Sequence, residues 1–265
     1  MYPPLTLASK YVKYYLTAAN GRGHGIHSPF TYAFVREVLM NRKDYYAYRD
    51  VELYRERLRN DDTVLEIQDF GAGSRISKTK TRSVSSIVKS AAKSPKLAQL
   101  IFRIADYQRA THMLELGTSL GITTSYLAAA RPEAEITTIE GDPSIASIAG
   151  RHFRESGYHH IRQLIGHFDD LLPKVLPPQH PYDLVYIDGN HRYEPTIRYF
   201  RALLPHMAGS SVMIFDDIHW SSEMEQAWDE VCNDPSVMLT IDLFFVGLVF
   251  FRDSFKVRQN FAIRF

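Results

Sequence analysis

The chain has 265 residues and 45% hydrophobic content, enough to bury a full core. A net charge of +1 makes no global case for nucleic acid, and a lone cysteine, Cys232, excludes an internal disulfide and a cysteine-rich zinc site. The start, MYPPLTLASK, lacks a charged stretch followed by an apolar core, and the longest apolar run, Leu243 to Phe251, is far short of the roughly 20 residues of a membrane helix. A soluble, cytoplasmic protein with no membrane partner is therefore expected.

Residues 1–105 read as helical, with helices expected over 8–19, 29–41, 44–59, 84–93 and 95–107. Ser28-Pro29 is a good helix start, with an N-cap hydroxyl followed by proline at the first helical position. No repeat or linker marks this region off, so 1–105 is expected to be a helical cap on a second domain, 106–265. Tyr11, Tyr14, Tyr15 and the Tyr45–Tyr54 run read as packing. The loop Asp69-Phe70-Gly71-Ala72-Gly73-Ser74 looks like a nucleotide turn, but RISKTKTRS follows it in place of an apolar helix. It reads as a glycine-rich bend, with a lid hinge as the functional alternative. Between Phe70 and Ala105 there are no acids, while Arg75, Lys78, Lys80, Arg82, Lys89, Lys93, Lys96 and Arg103 are all basic. The 75–103 segment is a solvated helix face with a loop, or a surface for phosphate or RNA backbone.

From about residue 110 the pattern changes to alternating strands and helices. Strands are expected near 112–116, 135–140, 161–165, 183–187 and 211–215, with helices over 120–130, 143–156, 194–207 and 221–233. Such alternation implies a parallel sheet covered by helices on both faces. Met238 to Phe245 and Gly247 to Arg252 are β-rich runs with almost nothing between them, so they are expected to pair as a hairpin.

The first strand, ending at Leu116, runs into Glu115-x-Gly117-Thr118-Ser119-x-Gly121, and the second ends on Glu140. Glycines let the backbone bend sharply and lie against a ligand. A carboxylate about 20 residues beyond such a turn can accept hydrogen bonds from a ribose diol. The unit therefore suits an adenosine. A dinucleotide site would place G-x-G-x-x-G here, and Glu115 would repel a pyrophosphate but attract an ammonium or sulfonium.

At these residues the chain resembles class I S-adenosylmethionine-dependent methyltransferases, whose first motif is E-x-G-T-x-x-G-x-[ST]. The resemblance covers roughly 95–252. It implies an α/β fold with a Rossmann-like, seven-stranded methyltransferase sheet closed by the C-terminal antiparallel hairpin. It places Glu115, Gly117, Thr118, Ser119 and Gly121 at the methionine part of the cofactor, Glu140 at the ribose, and His167 and Phe168 at the adenine.

The fourth strand exits through Asp188-Gly-Asn-His191, and the fifth ends in Asp216-Asp217. Three acids on neighbouring strand ends would repel unless a cation such as Mg²⁺ sat among them. Here the resemblance narrows to metal-dependent O-methyltransferases. Those acting on catechols carry an Asp-Asn pair in place of Asp216-Asp217 and a lysine base in place of His191. The Asp-Gly-x-His pattern is closer to sugar O-methyltransferases, in which a histidine is the base. The resemblance thus implies metal ligands Asp188, Asp216 and Asp217, and His191 and Asp188 as catalytic residues. Asp188 has a metal-free alternative as a contact to the cofactor's amino acid part, or as a helix cap. Tyr193 and His219 are further candidates for orienting a substrate, whereas His152, His159, His160 and His180 read as surface or core residues.

The resulting expectation is an S-adenosylmethionine-dependent O-methyltransferase of a small hydroxylated molecule. The alternatives are an RNA methyltransferase using the 75–103 segment and a cofactor-binding protein without turnover.

Overall fold

A computed structural model describes residues 1–19, 28–67, 81–252 and 254–265. The Asp69–Ser74 loop and the basic residues Arg75, Lys78 and Lys80 lie outside the described residues. The described chain falls into two compact units, one of residues 43–180 and one joining 1–42 to 181–265.

The second of these begins with α1 (Pro4–Thr17) and α2 (Pro29–Phe34). Ser28 caps α2 as its sequence suggests, its hydroxyl accepting from the Thr31 amide with Pro29 following. The helix then widens into one π turn over Val35–Leu39. Tyr11 and Tyr14 of α1 pack their rings 5.0 and 5.3 Å from that of Phe244, and the Tyr14 hydroxyl donates to the Ile263 carbonyl. The expected packing role of these tyrosines is what is found.

Residues 43–180 contain α3 (Tyr46–Arg59), β1 (Val64–Glu66), β2 (Thr81–Ser83), α4 (Val84–Ala91), α5 (Pro95–Gln108), β3 (His112–Leu116), α6 (Ile122–Ala130), β4 (Glu135–Glu140), α7 (Pro143–Glu155), β5 (Ile161–Ile165) and α8 (Phe168–Val175). Local chemistry starts these helices. Ser83, Ser94 and Asp142 accept from the amides three residues on, and Pro95 and Pro143 stand at the first turns of α5 and α7. β3, β4 and β5 pair in parallel, with Leu116 opposite Ile139 and Glu140 opposite Ile165. Met113 through Leu116 are buried without alternation, as a strand covered on both faces should be. β1 and β2 form a separate antiparallel pair. Helix α8 was not expected, because it is only eight residues long and contains Pro173; Asp169 and Asp170 in its first turn favour its start.

The remaining part of the other unit contains β6 (Tyr182–Ile187), α9 (Tyr193–Leu203), β7 (Met207–Asp216), α10 (Ser222–Asn233), β8 (Leu239–Asp242), β9 (Val246–Arg252) and β10 (Gln259–Ala262). Its strand order is β10-β8-β9-β7-β6. β6 and β7 are parallel, while β9 is antiparallel to both β7 and β8, so the expected C-terminal hairpin is present. The seven strands of the expected sheet are β3 to β9. Strand β10 is an addition, pairing in parallel with β8. Gly247 is where β9 runs flush against α10, since a Cβ there would come within 2.6 Å of the Trp228 ring.

His152 of α7 is buried, its Nε2 3.1 Å from Ser125 Oγ and its Nδ1 3.2 Å from Ser156 Oγ. Burial, helped by the Arg57 charge, pushes its pKa down from the ordinary 6.5 to about 4. The unfolded chain therefore takes up a proton below about pH 6.5 that the folded chain refuses. Stability should be complete above that pH and fall as the pH drops from there toward 4, by on the order of 2 to 3 kcal/mol from this group. Urea titrations between pH 7 and 4.5 check it: His152→Gln, which does not titrate, should flatten the slope, and an unchanged slope would disprove the assignment.

Candidate functional site

The parallel strands of residues 43–180 deliver a tightly bent loop. Gly117, Ser119 and Gly121 have φ of 107°, 48° and 79°, three left-handed residues in five. The Gly117 and Thr118 amides donate to the Ile139 carbonyl at 2.9 and 3.2 Å. The Ser119 amide donates to Glu140 Oε2 at 2.7 Å, and the Asp142 amide to Glu140 Oε1 at 3.0 Å. At Gly121 the start of α6 is pressed onto α7, because a Cβ would lie 2.8 Å from the Phe153 ring.

Glu140 is thus the carboxylate at the loop, as expected. Burial raises its pKa, outweighing the amide hydrogen bonds that stabilise the charged form. Gly166 at the exit of β5 donates its amide to the Glu140 carbonyl at 2.8 Å. That bond fastens the segment carrying exposed His167 and half-buried Phe168 beside the same residue. Glu115, expected at the methionine part of a cofactor, lies beneath the bent loop. It is wholly buried, and its Oε2 accepts from the Thr124 hydroxyl and, at 2.6 Å, from that of Thr138. Thr138 in turn bonds the Thr118 hydroxyl at 2.6 Å. The carboxylate therefore supports the loop from beneath and presents no surface to the methionine part of a cofactor. Hydroxyl donors on β4 and α6 draw it inward.

The other unit brings together the acids of β6 and β7. Asp188, His191 and Asp216 each offer a ligand atom, all within 4.8 Å of one another, with Asp216 buried and the other two half-buried. His191 Nε2 is 3.5 Å from Asp188 Oδ1, and the Tyr186 hydroxyl donates to Asp188 Oδ2 at 2.9 Å. The strand register explains the meeting, since Ile187 pairs with Phe215, each one residue before its acid.

Asp217, expected as a third metal ligand, is outside this group. Its φ is 53°, and its amide donates to the Phe245 carbonyl at 2.7 Å, so the chain turns away at this residue. The third potential ligand is His191 instead. Tyr193 and His219 are committed elsewhere. Tyr193 donates to Glu230, and His219 bridges Glu225 (2.9 Å) and Asp242 (2.8 Å). Glu230 and Asp242 lie 37 and 23 residues from their partners, so sequence spacing gave no signal of them.

Residues 114–218 match the family model described as a methyltransferase domain. This segment is thus similar to a methyltransferase domain. The chain's curated relatives include a catechol O-methyltransferase of Niastella koreensis, 26% identical over 147 residues, which are 54% of this chain and 64% of that protein. An O-methyltransferase of Aspergillus flavus is 35% identical over 85 residues, 30% of this chain and 34% of that one. The match thus spans less than two thirds of either relative. Among solved structures, the O-methyltransferase TomG of Streptomyces achromogenes, in complex with S-adenosylmethionine, superposes with a TM-score of 0.57 at 18% identity. That superposition covers 79% of this chain and 91% of TomG, and shows a shared fold.

The geometry of the Gly117–Gly121 loop has a direct consequence. Gly121→Ala would force a left-handed alanine onto the Phe153 ring, costing roughly 1–3 kcal/mol. Denaturant unfolding should show that loss and its partial recovery in Gly121→Ala with Phe153→Leu; a stability equal to wild type would contradict the close approach.

Proposed function

We propose that the protein is an S-adenosylmethionine-dependent O-methyltransferase acting on a small hydroxylated molecule in the cytoplasm. The observation that carries this reading is the loop Gly117–Gly121 hydrogen-bonded to the carboxylate of Glu140. The Glu140 oxygens accept the Ser119 and Asp142 amides and keep lone pairs to accept from a ribose hydroxyl. His167 and Phe168, held beside Glu140, supply a polar and an apolar face for an adenine. S-Adenosylmethionine, when bound, supplies an electrophilic methyl group.

The acceptor hydroxyl needs to lose its proton before it can attack. Asp188 and Asp216 are two carboxylates close enough to repel, an arrangement that a divalent cation relieves. Two carboxylates fit a hard divalent ion such as Mg²⁺ or Mn²⁺, which Asp188 and Asp216 would hold, leaving the imidazole of His191 beside them unligated. Such an ion would lower the hydroxyl's pKa as a Lewis acid. His191 then takes the proton on a ring nitrogen, with Asp188 orienting the ring.

The RNA reading draws less support from the described residues. Arg103 is buried beside the Tyr48 hydroxyl, and Arg82 donates to the Ser86 carbonyl and Ser90 hydroxyl, so both are used within the fold. No helix among the described residues is long and apolar enough to cross a membrane.

Transfer of labelled methyl from S-adenosylmethionine to a panel of catechols, phenols and sugars tests the proposal. EDTA should abolish turnover and Mg²⁺ or Mn²⁺ restore it, with Asp188→Asn inactive. Glu140→Gln should weaken cofactor binding by about 10-fold, the value of charge-assisted hydrogen bonds. Wild-type affinity should fall as the pH drops through the raised pKa of Glu140, because protonation removes an acceptor. Turnover on RNA alone, or none on any hydroxyl acceptor, would overturn the proposal.

A further inference from the structure

Behind the Gly117–Gly121 loop stands a set of groups with no part in the roles above. Tyr54 of α3 donates its hydroxyl to the Leu120 carbonyl at 2.8 Å in a buried bond. Its ring lies flat on the His152 imidazole, with centroids 3.3 Å and planes 3° apart. Ser125 of α6 donates its single hydroxyl proton to the Gly121 carbonyl at 2.6 Å. Having spent that proton, Ser125 Oγ can only accept from His152 Nε2, 3.1 Å away. The imidazole proton therefore sits on Nε2, and Nδ1 accepts from the Ser156 hydroxyl. A buried, neutral histidine keeps this arrangement at physiological pH.

The two arms end on consecutive carbonyls of the loop. Fixing a carbonyl fixes the plane of its peptide, and with it the direction of the next amide. The Leu120 carbonyl shares its plane with the Gly121 amide, which donates to the Thr118 carbonyl at 2.9 Å. β4 holds the front of the turn through Ile139 and Glu140, while the back is held from α3 and α7 through Tyr54 and His152. Simple packing would account for a stacked ring pair. It would not account for each arm of the pair terminating on a backbone acceptor of the same turn.

We propose that Tyr54 and His152 are positioning residues of the cofactor loop. They form a stacked brace that presets the Leu120 and Gly121 peptides, so that binding does not have to order them. The inference rests on the reading of this loop as the S-adenosylmethionine site. It gives the helical region before the methyltransferase domain a part in cofactor affinity.

Tyr54→Phe keeps the ring on His152 and removes only the hydroxyl, and Ser125→Ala removes the hydroxyl arm to Gly121 while the residue-125 amide stays on the same carbonyl. Both variants and the wild type are titrated calorimetrically with S-adenosylmethionine and S-adenosylhomocysteine, with urea unfolding in parallel. Each variant should bind both ligands about 3- to 10-fold more weakly, as expected for one hydrogen bond. In the free variants the Gly121 and Ile122 amides should exchange faster, and return to the wild-type rate when cofactor is bound. A purely structural role would lower the urea midpoint and leave the dissociation constants unchanged. That result in both variants overturns the brace alone. Failure of the wild type to bind either ligand would instead overturn the cofactor reading, and the brace with it.

Discussion

The bonds made by Glu140 are the constraint on which the candidate cofactor site depends. Its carboxylate accepts the amides of Ser119 and Asp142, and its carbonyl accepts that of Gly166. One residue therefore ties together the exits of three parallel strands: the bent loop after β3, the turn after β4 and the start of the segment leading to α8. A carboxylate so placed is costly, as its raised pKa shows. Folding offsets the cost by aligning amides whose other partners are absent at strand ends. Beneath it, Glu115, Thr118, Thr124 and Thr138 form a buried polar network that fixes the same loop from the sheet side.

Each unit carries its own set of candidate groups. Residues 43–180 hold nearly every group expected to meet the methyl donor. The strands after residue 181 hold the acids and the histidine suited to a cation and to the acceptor's proton. Asp188 was given both roles from sequence, and the structure shows its partners to be Tyr186, His191 and Asp216.

Much of the fold was legible in the sequence because its signals are local. Continuous apolar runs marked β3 and β6, Ser28 marked a helix start, and Gly117 and Gly121 marked a turn that needs positive φ. What escaped depends on contacts and backbone turns that residue spacing does not encode. The inward turn of Glu115 is set by hydroxyls on β4 and α6, and the salt bridges of His219 by acids 6 and 23 residues away. Asp217 follows Asp216 directly, and only its left-handed backbone removes it from the cluster. β10 escaped because its pairing edge, β8, exists only after the hairpin has formed. The aromatic run 45–54 was read as packing, which holds for the rings of Tyr45, Tyr48 and Tyr54 but not for the exposed Tyr46 or for the hydroxyl of Tyr54.

Calorimetric titration of the wild-type protein with S-adenosylmethionine, in Mg²⁺ and again in EDTA, addresses the central claim most directly. The account predicts saturable one-to-one binding in the micromolar range, with a further heat when Mg²⁺ or Mn²⁺ is added that Asp216→Asn abolishes. No saturation at cofactor concentrations up to about 1 mM, a binding energy of only ~4 kcal/mol, would contradict it.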